Sequence, residues 1–408
     1  MIVKSILLFL CCFCCLCVTG QVILKGKVTA DSSGTPVIGA SVFLSNSSYG
    51  TVTNSSGDFT LSIPNGRYDL IITSVGFESY NESINTQSLP GIIAITLNRR
   101  SAILDAVTVR AYEKDGWQKW GRFFLENFIG TSELATDCEI VNFKEVKFTH
   151  DKKAGKLTAY AFEPLVIVNK ALGYSITYDL KQFEYNFKSR IFIFAGAALF
   201  KQLDGRPAQI RRWEERRKET YYGGMMHFMR SLYRNRIAEE GYDLRFLVKK
   251  PNSERQRVQS ILRSRAFITP GKVVSISTPN PNIQPDSSDY YQKIMEQPEE
   301  LTTMLPVIVT GDSIAYSIDS FTAAFEFPNY LLIHYKHKNL PEAYRKTLGA
   351  NASRAMFSEL FLMNGGPVQV FSNGSMYPPT ELLTLGYWAW HEKLSALLPL
   401  DYKPPAGK

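Results

Sequence analysis

Between residues 22 and 97, apolar and polar side chains alternate in short runs. Val42 and Leu44 fall on one face, Ser41 and Ser45 on the other. Phe59, Leu61 and Ile63 alternate with Thr60 and Ser62, and Tyr68, Leu70, Ile72 and then Ile93, Ile95, Leu97 keep the same period. A period of two predicts strands with one buried face. Turns are predicted at Asp31–Pro36, Asn54–Gly57, Pro64–Gly66 and Val75–Phe77, where Gly supplies the positive φ that tight turns need. About six or seven short strands in so short a span predict a β-sandwich.

Beyond this region the pattern changes. Trp117, Trp120, Phe124 and Phe128 recur at helical spacing and predict a helix over 113–129. The stripe is either a core-facing seam or an aromatic platform for a sugar or a partner helix, and such stripes usually mark burial. Strands are predicted at 141–149, 157–163, 165–168, 174–180, 182–188 and 190–200, with Lys153–Gly155 as a turn. The segment 208–240 reads as helical with a break at Gly223-Gly224. Thr278–Ser288, rich in Pro, Asn and Ser, is predicted to be a loop. Strands follow at Pro306–Thr310, Ser313–Ile318, Leu331–Lys336, Phe357–Leu362 and Val368–Phe371. The apolar stretch 381–398, with Trp388 and Trp390, is predicted to be a helix packed on the preceding sheet.

The first 20 residues stand apart. Lys4 precedes an apolar run from Ile6 to Val18, and Val18-Thr19-Gly20 offers small residues for cleavage. This pattern predicts a secretory signal, with a mature chain from Gln21. The run is shorter than the about 20 residues a membrane helix needs, so no transmembrane helix is predicted in the mature chain. Five of the six cysteines lie within it, at 11, 12, 14, 15 and 17. Lipidation of Cys17 is disfavoured by Leu16, where a small residue is wanted; the alternative is that these cysteines are apolar filler. Only Cys138 remains, so no intramolecular disulfide can form in the mature chain.

The glycine-centred motifs of the N-terminal region occur in an ordered set. They are Gly26-Lys27-Val28, Pro36-Val37-Ile38-Gly39-Ala40-Ser41-Val42, Gly50-Thr51, Ser56-Gly57-Asp58-Phe59, Pro64-Asn65-Gly66-Arg67-Tyr68 and Ser74-Val75-Gly76-Phe77. This set resembles the carboxypeptidase regulatory-like domain, which has a transthyretin-like fold. The resemblance implies an accessory module, found beside metallocarboxypeptidase domains and at the N-termini of exported and outer-membrane proteins of the Bacteroidota, and it implies no catalytic residues. Leu104–Val109 resembles the segment that joins this domain to the plug of TonB-dependent transporters. A transporter barrel itself is excluded, because residues 110–408 are too few and lack its strand pattern. Glu163–Tyr174 resembles a stretch that follows the domain in other exported Bacteroidota proteins.

Charge adds one feature. Residues 201–265 hold 17 Lys and Arg against 8 Asp and Glu, a surplus that accounts for the whole formal charge of +8. Arg211, Arg212, Arg216 and Arg217 lie within two predicted turns, interleaved with Glu214 and Glu215. They form either an anion-binding face or a solvated helix laced with i,i+4 ion pairs. Nucleic acid is not an expected partner of an exported chain; an envelope protein or a glycan is, and peripheral membrane contact is compatible.

No catalytic constellation emerges. The five histidines (150, 227, 334, 337 and 391) contain no His-x-x-Glu or His-Glu-x-x-His zinc pattern. His334 and His337 would fall on opposite faces of a strand. There is no Gly-x-Ser-x-Gly elbow, no P-loop and no dinucleotide fingerprint. Asp312 and Asp319 could serve glycoside hydrolysis only at a suitable separation. No catalytic, cofactor or metal residues are therefore assigned, and no cofactor is expected.

The expected molecule has a signal (1–20), an all-β transthyretin-like sandwich (22–98), a linker (99–112), and a larger α+β region with mostly antiparallel sheet (113–408), divisible near 278–288. Its expected role is non-catalytic binding or assembly in a periplasm or outer membrane. The alternatives are an envelope hydrolase drawing on His227, Glu214 and His391, and a carbohydrate-binding protein using Trp117, Trp120 or Trp388.

Overall fold

The computed structural model describes residues 21–31, 33–100, 112–265, 286–349 and 351–405. The expected signal with Cys17, the segment Leu104–Val109 and most of the loop Thr278–Ser288 lie outside the described residues.

Seven strands form the N-terminal sandwich: β1 (Gln21–Ala30), β2 (Ser41–Leu44), β3 (Gly50–Val52), β4 (Asp58–Pro64), β5 (Arg67–Thr73), β6 (Tyr80–Asn85) and β7 (Ile93–Leu97). One sheet has the order β4-β1-β7, the other β3-β2-β5-β6. The alternation in β4 is realised residue by residue: Phe59, Leu61 and Ile63 are buried, and Asp58, Thr60 and Ser62 are exposed. In β5 it fails, because Leu70, Ile71 and Ile72 are all buried. Ile71 and Phe43 point away from the sandwich core and meet Ala197 and Leu199 of the following region. The second sheet is thus covered on both faces, which removes the polar half of the pattern.

After the sandwich come α1 (Gly116–Phe128), β8 (Cys138–Ile140), β9 (Val146–Asp151), β10 (Lys156–Ala161), β11 (Leu165–Asn169), β12 (Tyr174–Asn186) and β13 (Ile191–Gln202). The long β12 carries β11 and β10 along one edge and β13 along the other. The two strands expected at 174–180 and 182–188 are this one strand, with a bulge between Leu180 and Gln182. A bulge interrupts the period without ending the strand. The strand expected from 141 begins only at Val146, after a 3-10 turn at Phe143–Glu145. Helix α1 lies on this sheet through Phe124 and Phe128, both fully buried.

The remaining elements are α2 (Pro207–Tyr221), α3 (Met225–Tyr233), β14 (Tyr242–Pro251), α4 (Ser253–Arg265), α5 (Asp286–Glu296), β15 (Glu300–Met304), β16 (Ala315–Asp319), β17 (Thr322–Phe325), β18 (Tyr330–Asn339), α6 (Glu342–Leu348), β19 (Ala355–Leu362), β20 (Val368–Phe371), β21 (Met376–Tyr377), β22 (Leu382–Gly386) and α7 (Tyr387–His391). They build the sheets β15-β14-β18-β19-β22 and β16-β17-β20-β21, which enclose a core with α3. Every strand ladder after the sandwich is antiparallel among the described residues. A β-sandwich followed by a mostly antiparallel α+β region is the architecture the patterning predicts.

Four local expectations are corrected. Residues 381–398 are not one helix: Leu382–Gly386 pair with the edge of β19, and Gly386 at φ 70° turns the chain into the short α7. Pro306–Thr310 is irregular apart from one bridge between Val309 and Leu244. Pro306 has no N–H for a ladder, and the strand forms upstream at Glu300–Met304. The helical stretch from 208 ends at Tyr233 rather than 240. Asp286–Ser288, at the end of the expected loop, start α5.

The sandwich is anchored to the rest through backbone as well as side chains. Phe200 N donates to Ser47 O (2.9 Å), and Leu400 N donates to Asn46 O (2.7 Å). Asp401 accepts from Ser48 N (2.8 Å) and from the Ser48 hydroxyl, and Arg67 pairs with Asp319 (2.8 Å).

Candidate functional site: a cleft beside the helix break

The break at Gly223-Gly224 separates α2 from α3 and is held by a buried network. Gly223 N donates to His227 Nδ1 (3.2 Å), so that nitrogen is an acceptor and the ring proton sits on Nε2, which donates to Glu240 (3.1 Å). Tyr242 Oη lies 2.8 Å from the same Nδ1, and Trp388 Nε1 donates to Gly223 O (2.9 Å). Burial holds the His227 pKa below its ordinary value, against the opposing pull of Glu240, and pushes the Tyr242 phenol well above its own. The Tyr–His–Glu order superficially resembles a proton relay, but Tyr242 is 1% exposed and reaches no substrate. The network fixes the chain direction between the two helices.

Next to it opens a cleft of about 350 Å³. Arg216, Glu219 and Thr220 of α2 form one side, and Ser132 and Glu133 another. Lys338 at the end of β18 lies at its base, with Tyr387, Trp390 and His391 of α7 opposite. Lys338 Nζ donates to Tyr222 O (2.7 Å) and to Glu219 O, and burial lowers its pKa to about 8. Burial also lowers His391 to about 4, so its ring is neutral at neutral pH. The ring stacks on Tyr387 at 5.0 Å between centroids. Ser132 Oγ and His391 Nδ1 are both buried and have no hydrogen-bond partner among the described residues. Buried polar groups are almost always partnered, which sets these two atoms, in residues that line the cleft, apart.

Glu392 follows His391 and turns the other way, accepting from Met225 N (2.9 Å). Burial raises its carboxyl pKa to about 7. The folded state therefore keeps this proton between about pH 4.5 and 7, where the unfolded chain has released it. Stability from this group falls as pH rises through that window. Glu392→Gln preserves the acceptor and removes the titration. The unfolding free energy of the variant relative to wild type is thus expected to rise between pH 4.5 and 7, on the order of 2–3 kcal/mol. Thermal or urea unfolding across this range measures it, and a constant difference would contradict the assignment.

The residues singled out from sequence scatter. Arg211 and Arg212 are exposed on α2. Arg216 lines the cleft and pairs with Asp137 (3.5 Å). Arg217 does not belong to an anion-binding face: it is buried, donating to Leu172 O (2.7 Å) and Gly173 O (3.1 Å), with its guanidinium 4.0 Å over the Tyr174 ring. It shares the inward stripe of α2 with Trp213 and Tyr221. No ion pair forms within α2 among the described residues, so the expected i,i+4 pairs are absent too.

Trp117 is packed between Phe124, Phe143 and Phe148, and Trp388 is 1% exposed. Burial keeps Trp388 from stacking on a sugar, and Trp117 is half-buried with its ring packed on this aromatic cluster. Trp120, on the same helix α1 as Trp117, is half-buried beside His150 (4.9 Å). The hydrolase candidates are not assembled: Glu214 is exposed, His227 is locked in its network, and His391 lies in the cleft. The Cys138 thiol is pushed up to about 12 by burial, so it is not a thiolate at neutral pH. No group of three or more metal-ligating side chains occurs among the described residues. The sequence reading missed Ser132, Lys338 and Trp390 as cleft residues. Trp390 was visible only as part of an apolar run, and the other two carry no local signal.

Comparison with known proteins locates one part of the chain. The family model of the CarboxypepD_reg-like domain matches residues 24–109. No curated protein matches. Among solved structures, a type II cohesin–X-dockerin complex mutant from Acetivibrio cellulolyticus is 17% identical over 22% of this chain and 72% of the other, with a TM-score of 0.17. A DUF3823 family protein from Parabacteroides merdae is 10% identical over 46% and 83%, at 0.16. A putative membrane-associated protein of unknown function from Bacteroides fragilis is 8% identical over 86% and 93%, at 0.15. At these TM-scores none of the three carries a fold or a role across. The glycine motifs, the two-sheet sandwich and the family match coincide on one segment, and residues 24–109 of this chain are a carboxypeptidase regulatory-like domain.

Proposed function

We propose that this chain is an exported, non-catalytic binding protein of the cell envelope, and that the cleft at Ser132, Lys338, Trp390 and His391 receives a saccharide unit of an envelope glycan. One observation carries the reading: two buried polar groups without partners, Ser132 Oγ and His391 Nδ1, belong to a cleft walled by an aromatic ring. Hydroxyl groups both donate and accept, so they can satisfy a serine and a neutral imidazole together. Glu133, Glu219 and Arg216 in its walls offer further hydrogen bonds of both kinds to a neutral polyol. A volume of about 350 Å³ lies at the lower end of small-ligand sites. The accessory-type domain and the signal-like first 20 residues support an envelope setting.

The test is calorimetric titration of the full chain with a panel of envelope oligosaccharides, beside Trp390→Ala. Binding by the wild type and a loss of about 30-fold in the variant is expected, the scale of an interface tryptophan. Unchanged affinity in Trp390→Ala would remove the cleft from the reading. Specific hydrolysis of any of these glycans, or of peptides, would overturn its non-catalytic part.

A further inference from the structure

A second surface stands apart from the cleft and does not depend on it. Two hairpin turns meet at one end of the six-stranded sheet. Residues 152–155 join β9 to β10, and residues 187–190 join β12 to β13. They touch directly: Lys188 Nζ donates to Lys153 O (2.6 Å), and Phe187 N donates to Gly155 O (2.8 Å). The turns expose Lys152, Lys153, Lys188 and Arg190. None of these cations forms an ion pair among the described residues. The nearby carboxylates are engaged: Asp151 Oδ1 accepts from Lys153 N and Ala154 N (both 2.9 Å), and Glu184 pairs with Lys156 (3.2 Å).

The cations surround an aromatic patch. Phe187 is 39% exposed. Its ring lies 4.9 Å from Tyr185, 5.5 Å from Phe123, 5.8 Å from His150 and 6.0 Å from Trp120, centroid to centroid. A single exposed apolar residue is ordinary. Here the exposed ring continues into half-buried ones, and unpaired cations stand beside it. Aromatic rings favour the headgroup level of a bilayer, and cations beside them are drawn to lipid phosphates. The charge of the patch selects an anionic surface.

We propose that these two turns dock the protein on an anionic phospholipid bilayer. Phe187 and Trp120 would enter the headgroup layer, and Lys152, Lys153, Lys188 and Arg190 would contact phosphates. The test is cosedimentation of the full chain with phosphatidylcholine vesicles, with and without phosphatidylglycerol. It compares wild type, the triple variant Lys152→Glu/Lys153→Glu/Arg190→Glu, and Phe187→Ser. Lys188 is kept because it ties the turns together. All three chains share residues 1–20, so any difference reports the turns. Salt-sensitive binding that requires phosphatidylglycerol is expected, weakened at least about tenfold by the triple reversal. Trp120 fluorescence, identified by subtraction with Trp120→Phe, is expected to be quenched by brominated lipid in the wild type and less in Phe187→Ser. Equal binding to neutral vesicles, or equal binding by the charge-reversed chain with an unchanged unfolding midpoint, would overturn the proposal. So would capture by an immobilised acidic polypeptide without capture by vesicles.

Discussion

Arg230→Ala is expected to destabilise the protein by about 3–5 kcal/mol, from the loss of one side chain that satisfies three carbonyls. Arg230 is on α3 and 6% exposed. Its guanidinium donates to three backbone carbonyls: Asn373 O (2.9 Å), Tyr402 O (2.9 Å) and Leu400 O (3.0 Å). It also lies 5.4 Å over the Tyr221 ring. Truncation leaves three acceptors without their donor, each costing about 1–3 kcal/mol where water cannot enter. The consequence extends beyond the helix. The segment Leu400–Tyr402 also bonds the sandwich, through Leu400 N to Asn46 O and Asp401 to Ser48. Urea unfolding measures the total. Hydrogen exchange at the Leu400 amide is expected to accelerate with it. A loss below about 1 kcal/mol would show that the tail is held otherwise.

Trp388→Ala is expected to cost a similar about 3–5 kcal/mol, the range for removing a buried tryptophan. The side chain is the largest of the fully buried ones, its ring lies 5.4 Å from Phe228, and its indole N–H holds Gly223 O. Trp388→Phe separates the two contributions. It keeps most of the packing and leaves Gly223 O unpaired, so a loss of about 1–3 kcal/mol is expected. Because Gly223 N also donates to His227, both variants should loosen the helix break. Denaturant unfolding of the two variants side by side is the measurement, and equal losses would mean that the packed ring contributes nothing beyond the hydrogen bond.

Where sequence reading succeeded and failed follows one physical line. The alternation of Phe59, Leu61 and Ile63 was legible because one face of β4 meets core and the other meets solvent. Ile71 and Phe43 broke the pattern because a second surface, over a hundred residues later, covers their face. The bulge after Leu180 looked like a gap between strands, since a shift of period reads the same in either case. Leu382–Leu385 fitted a helix or a buried strand equally, and the free edge of β19 decided. Arg217 was grouped with its charged neighbours by adjacency, but the 3.6-residue turn places it with Trp213 and Tyr221.

What the sequence determined by itself is whatever depends on short-range chemistry. The period of the strands, the positive-φ glycines at their turns, the aromatic seam of α1 and the break at Gly223-Gly224 all rest on residues within a few positions of one another. The ordered glycine motifs between Gly26 and Phe77 carried the resemblance to the carboxypeptidase regulatory-like domain, whose model matches residues 24–109. The tertiary structure decided which faces stay wet, which edges find partners and which distant groups meet. Ser132, Lys338 and His391 share a cleft only because the turn after α1, the end of β18 and α7 converge beside α2. Lys153 and Lys188 touch only because β10 pairs with the far end of β12. Burial, and the pKa shifts and unpartnered groups that come with it, is a property of that convergence, and no local pattern encodes it.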